Sequence, residues 1–157
     1  MLGPNVTANV EQGLGMSLED VAGAMKAHTV LYRQFLGFMS EYDALICPAM
    51  AVPPFPHAQL YVEAINGERL RTYFHWLALA YGLTLTAHPV ACIPCGRDHT
   101  GMPFGIQLCG RRFCDRRTLA IAAALERHLQ GIPELARPVL DLDALAAGPA
   151  LRARASA

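Results

Sequence analysis

The sequence predicts an α/β fold in a single domain, and three observations carry that reading. Segments with apolar residues every three to four positions alternate with short apolar runs, in the order helix, strand, helix, strand, strand, helix. The first run, Ala44-Leu45-Ile46-Cys47, is continuous rather than alternating, which fits a buried strand of a parallel or mixed sheet. At 157 residues one core is the default, and it can bury roughly 70% of the unfolded chain's surface.

Residues 1–15 show no apolar period and read as an irregular leading segment. Residues 16–135 form the α/β body. Ser17 can cap a helix, with Asp20 three residues on in capping-box position. Leu18, Val21, Met25, Tyr32, Phe35 and Met39 then recur at helical steps, with His28 filling the gap, so the helix runs to about Ser40. After the 44–47 strand, Pro48, Pro53, Pro54 and Pro56 enforce an extended loop. Asn66-Gly67 accepts positive φ at both positions and predicts a hairpin between 60–65 and 68–70. A helix is expected over 71–81 with Gly82 as its stop. Val90–Pro94 and Phe104–Leu108 read as strands joined by the polar turn Arg97–Gly101. A last helix opens at Asp115, as N-cap, and closes at Gln130 before Gly131 and Pro133. Residues 136–157 read as a tail, disordered over 146–157.

Composition narrows the function. The chain is 53% apolar and 17% charged, below the roughly 25% charge of typical soluble domains. Such an apolar excess suggests a surface that something else covers. Thirteen basic and thirteen acidic residues cancel, which excludes the electrostatic footprint of a nucleic-acid binder. The longest greasy stretch, Trp76–Ala87, falls well short of the roughly 20 residues of a membrane span. The first residues lack the basic and apolar regions of a secretory signal. Five cysteines without an export signal read as reduced thiols of a cytoplasmic protein.

No self-sufficient catalytic site is legible. The serines are Ser17, Ser40 and Ser156, none in a nucleophile elbow, and the single lysine is Lys26 in mid-helix. There is no phosphate-cradling glycine loop, and no cofactor is expected. The six histidines, at 28, 57, 75, 88, 99 and 128, show no ligand spacing. Cys92-x2-Cys95 and Cys109-x4-Cys114 approach a zinc-ribbon spacing, but the strand context favours buried thiols over metal ligands. Arg111-Arg112 and Arg116-Arg117 flank a helix start, where phosphate binding is conceivable; Asp115 and the neutral balance favour a solvated turn.

Three stretches, Tyr42–Pro56, Asn66–Gly96 and Gly101–Glu126, resemble in order and spacing the C-terminal third of amidase-signature hydrolases. The resemblance is carried by Pro94, Gly96, Gly101, Pro103, Gly105, Gln107, Gly110 and Asp115. Ala87 stands where that family commonly has Gly, and Met102 where it has Leu. The resemblance implies a mixed sheet with flanking helices, of which this chain forms part. It also implies amide C–N hydrolysis or amidotransfer by a Ser–cis-Ser–Lys triad that lies upstream of the matched region. No catalytic residue carries over, and the chain is expected to be inactive alone: a fragment, a truncated frame or one piece of a split enzyme. Pro48, Met50, Phe55 and Trp76 are the candidate wall of a pocket for a small amide substrate. The expected partners are the missing N-terminal amidase portion or a second copy. The alternatives are a non-catalytic self-associating or partner-binding module, and a zinc-stabilised module on Cys92, Cys95, Cys109 and Cys114.

Overall fold

The computed structural model describes residues 3–147. Helix α1, Pro4–Leu14, corrects the irregular reading of the first fifteen residues. Pro4 sits in the first turn, where its missing N–H costs nothing, and Val6, Val10 and Leu14 fall at four-residue steps on one face. Helix α2, Leu18–Met39, begins as the capping box expected at Ser17. Asp20 N–H donates to Ser17 Oγ at 3.1 Å, and Ser17 N–H returns a bond to Asp20 Oδ2 at 2.9 Å. The C-terminal half of its apolar stripe packs inward, with Met39 buried, while Leu18, Val21 and Met25 face solvent.

A three-stranded sheet follows, in the order β1-β5-β4, from β1 (Ala44–Pro48), β4 (Val90–Arg97) and β5 (Pro103–Gly110). The α/β class holds, and both pairings that this chain contributes are antiparallel. β1 is an edge strand with Ile46 about half exposed, not the enclosed strand that its apolar run suggests. A continuous run asks for apolar surroundings without saying what supplies them; the covering helix packs on β4 and β5 instead. Asn66 (φ 52°) and Gly67 (φ 82°) turn the expected hairpin. Its ladder is only β2, Ala64–Ile65, against β3, Glu68–Arg69.

The helix expected over 71–81 starts later. A 3-10 turn at His75–Leu77 leads into α3, Ala78–Thr84, and Gly82 lies inside the helix rather than stopping it. The chain reverses instead at Ala87, whose φ of 56° is left-handed backbone that suits glycine better. Helix α4, Asp115–Gln130, matches the expected span, but Cys114 occupies the cap position and Asp115 lies in the first turn. There its carboxylate still favours the positive end of the helix dipole. A short helix α5, Leu142–Ala147, stands in the segment read as tail. Of the residues expected to be disordered, 146 and 147 end this helix, and 148–157 lie outside the described residues.

The core forms between one sheet face and α4. Ile93 and Leu108 meet Ala122 and Leu129, with Ala91, Cys95, Ile106 and Leu125 around them. Two glycines permit this packing. A Cβ at Gly110 would run into the Thr118 side chain of α4, and one at Gly96 (φ 63°) into the Glu134 carbonyl. The second contact ties the segment after α4 to the end of β4.

Candidate functional site

The opposite sheet face carries the row Cys47, Gln107 and Cys92, one residue from each strand. Gln107 is a buried amide in an apolar strand, so its donors need partners. Its Nε2 donates to Leu79 O of α3 at 3.0 Å and to Pro48 O at 3.2 Å. One side chain thus ties the end of β1 to α3. Immediately beyond, Ala49 N–H donates to Gly105 O at 2.9 Å, which fixes the start of the proline loop against β5.

From that anchor the loop 49–55 closes a cleft of about 490 Å³ with Trp76, Phe104 and the β4–β5 turn. Phe55 meets Trp76 edge-to-face, with centroids 5.3 Å apart and planes at 78°, the arrangement aromatic pairs favour. Met50, Phe55 and Trp76, three of the four residues named from the sequence, line this cleft together. Pro48 does not line it; its carbonyl is the acceptor for Gln107.

The polar rim was not foreseen. Asp98 and His99 of the turn also line the cleft. Asp98 Oδ1 accepts from Thr100 Oγ1 (2.6 Å), Thr100 N–H (2.8 Å) and Met102 N–H (3.0 Å). The Thr100 hydroxyl, joined by those backbone donors and His99, holds the carboxyl below the usual carboxylate range against the opposing effect of burial. An Asp two residues before a Thr in an Asp-x-Thr-Gly turn is the sequence signal that could have found this Asx turn.

The other candidates disperse. Ser17 Oγ belongs to its capping box, Ser40 Oγ donates to Gly37 O at 2.7 Å, and Ser156 lies outside the described residues. Cys95 packs into the α4-side core, whereas Cys92 points to the other face beside Gly105. The four thiols of the zinc alternative therefore do not converge, and no group of three His, Cys, Asp or Glu among the described residues is placed to hold a metal. The buried-thiol reading suits Cys109, which is fully buried, but not Cys92, which is exposed. Burial, with Cys47 nearby, pushes the Cys109 thiol up to about 11. Arg111 and Arg117 keep the exposure expected of a solvated turn but also make contacts: Arg111 donates to Tyr42 O and Ser40 O, and Arg117 pairs with Asp43 at 2.8 Å.

The fold and cleft define a class: an α/β unit whose apolar pocket sits at the strand ends, with no Ser–Lys nucleophile among its described residues. Residues 2–119 match the family model described as Amidase. The chain belongs to the amidase family. It is 32% identical over 102 residues to a putative amidase of Synechocystis, covering 65% of this chain and 20% of that protein. It is 30% identical over 125 residues to a glutamyl-tRNA(Gln) amidotransferase subunit of Granulibacter bethesdensis, covering 80% and 23%. A solved bacterial aryl acylamidase of the amidase-signature enzymes superposes with a TM-score of 0.74 at 24% identity, over 84% of this chain and 27% of that one, and supports the fold. The chain spans about a fifth of the length of the curated relatives it matches.

Proposed function

We propose that this chain supplies part of the substrate pocket of an amide-hydrolysing or amide-transferring enzyme and does not itself carry the nucleophile. The observation behind this reading is the cleft, which gathers Met50, Phe55 and Trp76 around about 490 Å³. That size and apolar lining suit the acyl or leaving group of a small amide. In the reaction of such a pocket the chain would bind and orient the substrate and exclude water. The serine pair and lysine base implied by the family resemblance would come from residues outside it. No helix among the described residues is long and apolar enough to cross a membrane, and the reduced thiols support a cytoplasmic setting.

The test is a chimera. Residues 17–135 replace the matching segment of the bacterial aryl acylamidase, and hydrolysis of aryl and alkyl amides is followed. The reading expects an active chimera in which Trp76→Ala and Phe55→Ala lower kcat/KM for aryl amides about tenfold or more, with little effect on small alkyl amides. The unmodified chain should release no ammonia or aniline above buffer. Turnover by this chain that survives Ser17→Ala and Ser40→Ala would overturn the proposal.

A second reading, association with another chain, rests on the exposed faces. Both edges of the three-stranded sheet, β1 and β4, are unpaired among the described residues, and Leu18, Val21 and Met25 of α2 stand in solvent. The occupant that fits is an amidase-family N-terminal portion; a second copy would use the same surface.

A further inference from the structure

The cleft makes no use of Arg111-Arg112, which lie near the far end of β5, about 17 Å along the strand from Gly105 at 3.4 Å per residue. There Met39 and Ser40 at the end of α2, His88 before β4, and Arg111, Arg112 and Cys114 after β5 line a cavity of about 360 Å³. Two of its lining groups are chemically incomplete.

The first is His88, only 7% exposed. Its Nδ1 lies 2.7 Å from Thr86 O. A carbonyl can only accept, so Nδ1 carries a proton, and in the tautomer protonated there alone Nε2 presents a bare lone pair. That atom is buried and has no donor among the described residues. The second is Arg112. Its half-buried guanidinium lies 4.7 Å from the Tyr32 centroid and 4.4 Å from that of Phe113, and donates to the Tyr32 hydroxyl. It has no carboxylate partner among the described residues, whose two ion pairs go from Arg111 and Arg117 to Asp43. A half-buried cation without an anion and a buried acceptor without a donor are each costly.

One ligand answers both needs if it carries negative oxygens and an O–H. Water can donate to His88 and accept from Arg112 but brings no negative charge, and chloride brings charge but no donor. We propose that this cavity binds an oxyanion of the hydrogen-phosphate class, whose charged oxygens accept from Arg112 while its O–H donates to His88 Nε2. Arg111, already committed to Tyr42 O and Ser40 O, positions the turn that carries Arg112. The site is separate from the amide cleft and stands whether or not that cleft binds substrate.

The test uses the full chain, ¹⁵N-labelled, at about pH 8 and constant ionic strength. Inorganic phosphate keeps an O–H at that pH, whereas sulfate has none and methyl phosphate, with a second pKa of about 6, has lost its own. Phosphate should shift the His88 ring nitrogens saturably, leave the other five histidines in place, and raise the melting temperature. Its Kd should be at least about tenfold below those of sulfate and methyl phosphate, the factor expected for one hydrogen bond to a charged group. Arg112→Gln should weaken phosphate about tenfold. Methyl phosphate binding as tightly as phosphate would point to a phosphate ester and overturn the proposal for the free ion. It also fails if phosphate, sulfate and chloride act alike, or if the melting temperature rises while the His88 signals stay still. Because the wild-type comparison is sufficient, the outcome does not depend on the variant folding.

Discussion

Cys109 and Cys92 differ in sequence only by their neighbours, yet one is sealed in the fold and the other faces solvent. Cys109→Ser places a hydroxyl in an apolar site and should cost about 1–3 kcal/mol in chemical denaturation. Cys92→Ser should stay within about 0.5 kcal/mol. The thiol titration adds a sign. The Cys109 pKa is raised from 9.0 to about 11 by burial, so between those values the native state holds a proton that the unfolded state has lost. Stability from this group is therefore fully present below pH 9 and falls as pH rises toward 11. Denaturation midpoints measured across that range for wild type and Cys109→Ala should diverge accordingly. Met50 and Phe55 could be placed in the proline loop from their neighbours alone, and Trp76 meets Phe55 across the cleft. Gln107, Asp98 and His88 were not legible in this way, because their roles depend on carbonyls, turns and cavities formed by distant or backbone groups.

At the scale of elements, capping and glycine chemistry were read correctly where the partner lies within a turn of the chain. The Ser17–Asp20 box and the Asn66-Gly67 turn are of that kind. Ser17→Ala should cost about 1 kcal/mol, read as a lower melting temperature. Ala87 shows the opposite case. It stands where the family commonly has Gly, and its φ of 56° makes it a strained residue. Left-handed backbone costs an L-residue roughly 1–2 kcal/mol, and glycine's greater unfolded freedom returns about 0.4–1 kcal/mol of that. Ala87→Gly should therefore stabilise the chain by about 0.5–1 kcal/mol. Gly110 carries the converse constraint. Its Cβ would lie 2.8 Å from Thr118 Cβ, so Gly110→Ala should cost about 1–3 kcal/mol by overpacking. Thr118→Gly in the same chain should recover part of that loss, giving a favourable coupling in a double-mutant cycle. Helix α1 was missed because Gly13 and Gly15 obscured a period that Val6, Val10 and Leu14 do keep.

For the whole molecule, alternation of periods was enough to predict the α/β class, but not strand order or direction. Those depend on which strands meet, and β1 reaches β5 across the whole segment that holds β2, β3, α3 and β4. The apolar excess in composition does have a structural counterpart, in the exposed stripe of α2 and the two free sheet edges. The chain should accordingly associate, with a light-scattering mass above 17.0 kDa that grows with concentration. A monomer at high concentration would sink the association reading. Trp76, the only tryptophan in the sequence, gives the cleft an optical label that the Ile93–Leu108–Ala122–Leu129 core lacks. Emission excited at the red edge, where tryptophan absorbs and the five tyrosines do not, will therefore report the cleft alone, while circular dichroism follows the helices. Superimposable melting curves would mean that cleft and core yield as one cooperative unit. An emission change at lower temperature would mean that the proline loop opens while the sheet is still folded, a local looseness that a substrate entering the cleft would have to find closed or open.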